Sequence, residues 1–216
     1  MINKIRILNT VALVAGLSVA AAGCAGSQDT NREPGVGEEE TMQQPEVKGP
    51  RVLLETSLGS ILIGFYTDQA PLSVENFLAY VEAGHYDGLI FHRVIPDFMI
   101  QAGGHEPDMT MREGGREPIH NESDNGLQNT RGTVAMARTG APHSASAQFF
   151  INHADNAFLD FGAQGPNQWG YAVFGTVLEG MDVVDAIAAL ETGNAGGMGD
   201  VPVETVTIIS ATVVQP

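Results

Sequence analysis

The feature that most constrains the fold of this chain is a series of short strand-forming runs, joined by glycine-rich connections and interrupted by two helical periods. Residues 51–56 and 60–66 flank the turn Ser57-Leu58-Gly59, a pattern that predicts a β-hairpin. Further strands are predicted at residues 89–94, 98–102, 133–137, 148–152, 171–177 and 203–214. This series favours a closed antiparallel barrel, although patterning alone is almost equally compatible with a sandwich.

Two amphipathic helices are predicted between the strands. Apolar residues at the spacing i, i+3, i+4 and i+7 indicate the first helix, and they are Val74, Phe77, Leu78 and Val81. Pro71 lies near the start of this helix, Ser73 is the expected N-cap, and Gly84 lies at its end. The second helix is predicted over residues 181–190. Both helices are expected to cover the ends of the barrel.

Composition excludes several classes of function. The 216 residues carry a formal net charge of −16, with 26 acidic against 10 basic side chains. Such a surface repels phosphate, so no nucleic-acid partner is expected. The single cysteine, Cys24, excludes an internal disulfide framework and a multi-cysteine metal site. None of the six histidines stands at a metal-ligand spacing, so neither a metal nor a cofactor is expected.

Residues 1–23 have the composition of a targeting segment. Lys4 and Arg6 form a short basic start, the run after them is apolar or small, and Cys24 follows directly. The segment resembles the lipobox of bacterial lipoproteins, in which the peptide is cut before the cysteine and the thiol is lipidated. We therefore expect an exported lipoprotein, held at a membrane through Cys24 and facing the periplasm or the cell exterior. Ala21 departs from the leucine most common in that motif, so an ordinary secretory signal peptide is the alternative.

Residues 24–50 are predicted to form a disordered acidic tether. They hold glycine, proline, glutamine and the run Glu38-Glu39-Glu40, with almost no large apolar side chains to bury. A flexible chain of this length has a typical reach of roughly 25–30 Å. Residues 51–216 then form one domain, which we expect to be monomeric.

The run FHRVIPDFMIQAGG combines a permanent cation, an amide and large apolar side chains within a strand-forming context. Strand parity places Arg93 on one face and places Met99 beside Gln101, whereas Phe98 belongs to the opposite face. An arginine therefore stands beside an apolar patch with an amide close by. Taken alone, the run also fits an ordinary strand with one solvated arginine.

Three segments together resemble the cyclophilin-type peptidyl-prolyl isomerases, in particular the bacterial branch of that family. They are FHRVIPDFMIQAGG, NTRGTVAMARTGAPHSASAQFFIN and GYAVFGTVLEGMDVVDAI, and they occur in the family's order across residues 51–214. The resemblance implies a mainly β fold, a closed eight-stranded antiparallel barrel capped by two α-helices. It also implies a peptide groove on the outer wall of the barrel.

The resemblance also implies roles for particular residues. Arg93 matches the catalytic arginine of the family, and Gln101 matches a polar group that holds the arginine or a substrate carbonyl in register. The residues that match substrate-binding positions are Phe98, Met99, Ala137, Arg138, Gln148, Phe150, Phe158, Leu159 and Tyr171.

Three of these positions depart from the pattern of many eukaryotic members. Arg138 stands in place of an asparagine, so a backbone role is expected there rather than a side-chain role. Phe158 stands in place of a tryptophan that binds the drug cyclosporin, which argues against tight drug binding. Tyr171 replaces a histidine of the groove and keeps an aromatic ring with a polar tip.

The function implied is isomerisation of X-Pro bonds in exported proteins, whose folding it would accelerate. The partners are therefore proline-containing polypeptides. The alternative is a chaperone or scaffold that binds proline segments without turnover, but a pure binder does not need the pair Arg93 and Gln101. Rotation transfers no proton, so turnover is expected to be nearly flat from about pH 6 to pH 8, where a catalytic histidine would titrate.

Overall fold

Between residues 45 and 215, which are the residues that this computed structural model describes, the chain forms ten strands and two α-helices. These residues belong to one compact unit, Gln43–Pro216. The strands are β1 (Arg51–Thr56), β2 (Gly59–Phe65), β3 (Arg93–Ile95), β4 (Met99–Ala102), β5 (Thr133–Met136), β6 (Phe149–Asn152), β7 (Val173–Glu179), β8 (Thr192–Ala195), β9 (Met198–Pro202) and β10 (Ile208–Val214). The helices are α1 (Pro71–Glu82) and α2 (Met181–Ala188), and a 3₁₀ turn spans Ala157–Leu159.

Eight of the strands form one curled antiparallel sheet in the order β10-β1-β2-β7-β5-β6-β4-β3. The expected antiparallel fold with two helices is confirmed, but full closure of the barrel was an overstatement. The edge strands β3 and β10 do not pair with each other within the described part of the chain. The segments just before them join instead, because Phe91 N–H donates to Val206 O at 3.0 Å and Ile208 N–H donates to Leu89 O at 2.7 Å.

The sheet is apolar on both faces where β4, β5 and β6 run side by side. Phe149 and Ile151 point into the inner core, where Phe149 packs edge to face against Phe77 of α1. Phe150 points the other way, into an outer cluster with Met99. The outer cluster consists of Tyr66, Met99, Leu127, Ala135, Phe150, Leu159 and Val173. Strand alternation therefore builds a second apolar surface on the outside of the sheet.

The start of α1 differs from the prediction in the residue that caps it. The helix begins at Pro71 after Ala70, so Ser73 lies inside the first turn and its assignment as N-cap was wrong. The carboxylate of Glu122 supplies the cap from a distant loop. It accepts the backbone N–H of Leu72 at 3.0 Å, and the N–H and hydroxyl of Ser73 at 2.8 and 2.7 Å.

The residues between α2 and β10 form a hairpin that was not among the predicted elements. Strands β8 and β9 pair antiparallel around Gly196 and Gly197, which have φ angles of +57° and +81°. Two consecutive positive φ angles define the type I′ turn that joins tightly paired strands, and a Gly-Gly dipeptide is its usual signal. The glycine pair was therefore a hairpin signal that the prediction did not use.

Several predicted elements exist with different ends. The strand predicted over 89–94 is reduced to β3, because residues 88–91 bond to Val206, to Ile208 at the start of β10 and to His105 instead of forming a sheet ladder. The strand over 171–177 is displaced to β7, the strand over 203–214 is shortened to β10, and the second helix ends at Ala188. Helix α1 and the hairpin of β1 and β2 are confirmed.

The predicted targeting segment 1–23, Cys24 and most of the predicted tether lie outside the described residues. The last part of the tether contacts the domain, since Lys48 forms a parallel bridge with Tyr66 and Val47 packs against the outer cluster. None of the helices in the described part of the chain is long and apolar enough to cross a membrane.

Candidate active site

A small cavity opens on the outer face of the sheet, beside β3, β4 and β6. Its volume is about 100 Å³. Since a water molecule occupies about 30 Å³ in the liquid, the cavity has room for one small ring. It is lined by Arg93, Phe98, Met99, Gln101, Ala137, Arg138, Phe150, Leu159 and Tyr171. Nine of the eleven side chains predicted for the site therefore share one cavity.

Strand register brings the cation, the amide and an aromatic ring into one row. Arg93 on β3 is paired with Gln101 on β4, and Gln101 is paired in turn with Phe150 on β6. Directly paired residues of an antiparallel sheet project on the same face, so these three side chains are neighbours. Met99, Phe150 and Leu159 form the floor of the cavity, and they are 2%, 4% and 6% exposed. The floor of the cavity is therefore apolar and buried, whereas Arg93 is half-buried at the edge of the cavity.

Phe98 also lines the cavity, although strand parity assigned it to the opposite face. The parity argument fails because Phe98 precedes β4 and follows Asp97, whose φ of 57° turns the chain. The carbonyl of Phe98 is held in place by two donors. It accepts the backbone N–H of His153 at 2.9 Å and the side-chain Nδ2 of Asn156 at 2.8 Å.

Gln148 does not line the cavity but contacts a residue that does. Its Oε1 accepts a hydrogen bond from Gln101 Nε2 at 2.9 Å. The space for Gln148 exists because residue 104 is glycine, and a Cβ there would overlap the Gln148 side chain. Gln148 therefore orients the side chain of Gln101 from outside the cavity.

The guanidinium of Arg138 is engaged with backbone groups. Its Nε, Nη1 and Nη2 donate to the carbonyls of Gly170, Thr139 and Trp169 at 3.0, 2.9 and 2.8 Å. Its Cζ also lies 4.6 Å from the ring centroid of Tyr171, within cation–π range. Arg138 thus holds the 169–171 segment against the end of β5 and fixes the Tyr171 ring at the cavity.

Phe158 lies at the rim of the site. Its side chain is 54% exposed, and its ring stacks on that of Phe98 with centroids 5.6 Å apart. Like Gln148, it does not line the cavity. An exposed aromatic ring in this place extends the apolar surface toward solvent.

The family model described as cyclophilin type peptidyl-prolyl cis-trans isomerase/CLD matches residues 51–213. This chain belongs to that family. It is 61% identical over 160 residues to peptidyl-prolyl cis-trans isomerase cyp18 of Streptomyces antibioticus, covering 74% of this chain and 96% of that protein. It is 55% identical over 162 residues to peptidyl-prolyl cis-trans isomerase B of Escherichia coli K12, covering 75% and 98%. The family predicted from the three motifs, and the isomerase activity that goes with it, are thus confirmed.

Solved structures agree on the fold of this cyclophilin. A cyclophilin-type isomerase of Cryptosporidium parvum superposes with a TM-score of 0.65 at 24% identity, covering 78% of this chain and 99% of that one. A second structure of that protein, determined in the presence of the dipeptide Ala-Pro, gives a TM-score of 0.64 at 23% identity, covering 78% and 100%. At this level of identity the likeness concerns the fold alone.

A buried asparagine network supports the cavity of this cyclophilin, and sequence reasoning missed it. Asn156 Nδ2 donates to Asn152 Oδ1 at 2.7 Å, and Asn152 Nδ2 donates to Asn129 Oδ1 at 3.2 Å. Asn129 in turn donates from its backbone and its side chain to Asp160 Oδ1, at 2.7 and 3.0 Å. Asn152, Asn156 and Asp160 lie close together in the chain, on either side of the 3₁₀ turn, whereas Asn129 reaches them from a distant loop. Together they join the Phe98 turn to the segment that carries Leu159.

Histidines lie behind the site of this cyclophilin but do not enter it. His92, which directly precedes β3, is 1% exposed, and its ring centroid lies 4.2 Å from that of His105. Burial, and then the nearby His105, lower the pKa of His92 from 6.5 to about 4. The ring is therefore neutral at physiological pH, and it packs against His105 in the interior of the domain. No group of three or more potential metal ligands occurs among residues 45–215.

A larger cavity of the described domain lies elsewhere, along α1. It measures about 520 Å³ and is an open trough lined by Pro50, Thr67, Pro71, Val74, Glu75, Leu78, Ala79 and Glu82. Its charged groups are carboxylates, and no cation lines it. By size this trough would be the better candidate for a binding site, but it is lined by none of the arginine, glutamine and aromatic side chains that line the cavity beside Arg93.

Proposed function

We propose that the cavity beside Arg93 receives the proline ring of a polypeptide and that Arg93 catalyses rotation of the X-Pro bond. The uncatalysed barrier is about 18–20 kcal/mol and arises from amide resonance. Catalysis therefore requires groups that weaken this resonance or stabilise the twisted amide, in which the nitrogen regains its lone pair.

The dry floor of the cavity addresses the first requirement. Met99, Phe150 and Leu159 are almost fully buried, so a proline ring seated on them loses contact with water. Withdrawal of water from the amide disfavours its charge-separated resonance form. Phe98 and the exposed ring of Phe158 would cover the remaining apolar edge of the substrate.

Arg93 addresses the second requirement. Its guanidinium is a permanent cation with fixed donors, placed at the edge of a low-dielectric cavity where it can donate to the prolyl nitrogen as the bond twists. Gln101 pairs with it across the strands, and Gln148 orients Gln101. The observation that supports this proposal best is the paired row of Arg93, Gln101 and Phe150, which places one cation against an apolar floor.

The test is exchange spectroscopy by NMR on a short Ala-Pro peptide, with Arg93→Ala and Arg116→Ala compared with the unmodified protein. Loss of Arg93 should raise the barrier by roughly 2.7–4 kcal/mol, or 10²–10³ in rate, by analogy with the loss of one preorganised donor. The exposed Arg116 is the matched control and should leave the rate unchanged. Binding of the peptide without turnover by the unmodified protein would favour the scaffold alternative.

We also propose that the isomerase acts on exported proteins while held at a membrane through a lipidated Cys24. The support is the basic start, the apolar run and the small residues that lead directly to this cysteine. A tether of about 25 residues would let the domain reach chains emerging near the surface. More than one acyl chain at Cys24 would be needed for stable anchoring.

Detergent phase partition combined with mass spectrometry tests this anchor. The mature protein should begin at Cys24, carry acyl chains and enter the detergent phase, whereas Cys24→Ser should enter the aqueous phase. A mature protein cut at another residue and found in the aqueous phase would instead show an ordinary signal peptide.

A further inference from the structure

The guanidinium of Arg93 has an ion-pair partner that does not line the cavity. Asp200 Oδ2 lies 3.8 Å from Arg93 Nε, and the two side chains are 50% and 39% exposed. Neither sequence reasoning nor the match of site residues to the family pointed to Asp200. A carboxylate therefore stands at the mouth of the site, next to the one cation that the reaction requires.

The β8–β9 hairpin places this carboxylate. Strand β9 packs against β3, which carries Arg93. On the other side, the turn at Gly196 lies directly against Met109, so that a Cβ on residue 196 would overlap the Met109 side chain. Asp200 itself has a φ of +60°, which bends β9 where it passes Arg93. The hairpin is thus supported from both sides and presents Asp200 at a defined place.

The contact is poorly suited to holding Arg93 in position. It is a single long approach rather than a bidentate pair, and exposed pairs of this kind contribute little. Among the described residues, the Asp200 carboxylate accepts no hydrogen bond, unlike Glu122 and Asp160. Its oxygens remain open to solvent and can accept a further donor from a bound chain.

We propose that Asp200 is a specificity determinant that favours substrates with a lysine or arginine next to the X-Pro bond and disfavours those with an acidic residue there. The inference rests on the proposed function, because it requires the proline in the cavity beside Arg93. A cationic side chain of the substrate would bind the open side of the Asp200 carboxylate. An acidic side chain of the substrate would lie close to the Asp200 carboxylate and would be repelled by it. Arg93 could not pair with that acidic side chain, because its guanidinium is engaged with the amide.

The test uses three peptides with one Ala-Pro core, in which the residues flanking the core are lysine, glutamine or glutamate. NMR exchange at low ionic strength gives kcat/KM for the unmodified protein, Asp200→Asn, Asp200→Lys and Glu82→Gln. The last variant is the matched control, because it removes the same charge from an exposed residue at the end of α1.

The unmodified protein should prefer lysine to glutamine and glutamine to glutamate, each by about 2–5-fold, the range that one exposed charge contact supports. Asp200→Asn should abolish the preference, Asp200→Lys should reverse it, and Glu82→Gln should leave it unchanged. Added salt should reduce the preference, since exposed charges are screened.

Three outcomes would overturn the inference, and they differ from each other. An equal loss of kcat/KM on all three peptides in Asp200→Asn would assign Asp200 to positioning of Arg93. A charge preference that persists in Asp200→Asn would place its source elsewhere. An unmodified protein without turnover on the glutamine peptide would overturn the proposed function itself.

Discussion

At the scale of single residues, two neighbours in the sequence, Arg93 and His92, lie in different surroundings. Arg93 lines the cavity with a guanidinium group, whereas His92, which directly precedes β3, is a buried neutral ring. This histidine therefore does not line the cavity. Turnover on Ala-Pro peptides is accordingly expected to be flat from about pH 6 to pH 8, as in the sequence-based prediction.

Stability, unlike turnover, should depend on pH through His92. Its pKa is about 4 in the folded chain against 6.5 ordinarily, so the unfolded chain binds a proton in that interval and the folded chain does not. The free energy of unfolding should therefore fall as the pH drops from about 6.5 to about 4, by up to about 3 kcal/mol. Burial lowers the pKa of His85 and His105 as well, which acts in the same direction.

Urea denaturation at a series of pH values measures this dependence. His92→Gln removes one of the titrating groups, so the curve of free energy against pH should be flatter than that of the unmodified protein. Equal slopes for the two proteins between pH 6.5 and pH 4.5 would contradict the assignment.

At the scale of elements, helix α1 is completed by a group from another part of the chain. Helix α1 has no side-chain cap of its own, and Glu122 supplies one from a loop about fifty residues away. A carboxylate at this place both accepts the free N–H groups and interacts favourably with the positive end of the helix dipole. The loop and the helix therefore stabilise each other.

Glu122→Ala should lower the free energy of unfolding by about 1–2 kcal/mol, the usual contribution of an N-terminal cap. Glu122→Gln should lose less, since its amide oxygen still accepts a hydrogen bond while the charge is absent. Thermal unfolding of the three proteins gives the order. If the alanine variant unfolds at the same temperature as the unmodified protein, solvent caps the helix equally well.

At the scale of the whole molecule, the cavity depends on contacts between segments that are far apart in the chain. The asparagine network connects residues 129, 152, 156 and 160, and one of its members, Asn156, bonds the carbonyl of Phe98. These amides are buried, so each loses its water contacts only because a protein partner replaces them. The network therefore couples the shape of the cavity to the stability of the domain.

Asn156→Asp tests this coupling with almost no change in side-chain volume. The aspartate cannot donate to Phe98 O or Asn152 Oδ1, so we expect a loss of about 1–3 kcal/mol in stability, together with a lower kcat/KM on the Ala-Pro peptide. Denaturation and NMR exchange give the two quantities on the same sample. Lost stability with unchanged turnover would show that the network supports the fold but does not position Phe98.

The sequence predicted most of the elements because their signals are local. The spacing of Val74, Phe77 and Val81 indicated α1, and the Ser57-Leu58-Gly59 turn indicated the first hairpin. The errors arose where a distant partner decides the outcome. The cap of α1 comes from Glu122, and residues 88–91 bond to distant groups, among them Val206 and Ile208, rather than extending β3.

The residues near the cavity show the same division. Motif resemblance indicated nine of the lining residues, but parity misplaced Phe98, because the chain turns at Asp97 before the strand begins. No motif or spacing in the sequence indicated Asp200 or the asparagine network. Each joins the site through a contact across the fold and not through spacing along the chain.

By itself, the sequence determined the family and the alternation that makes β4 to β6 apolar on both faces, and it indicated the residues that line the cavity. Only the tertiary structure decided that the sheet is curled but not closed. It also decided that Gln148 accepts a hydrogen bond from Gln101 and that Asp200 lies beside Arg93. The reason is physical. Propensity and periodicity act over a few residues, whereas hydrogen bonds and ion pairs depend on distances of a few ångströms that exist only after distant segments have packed together.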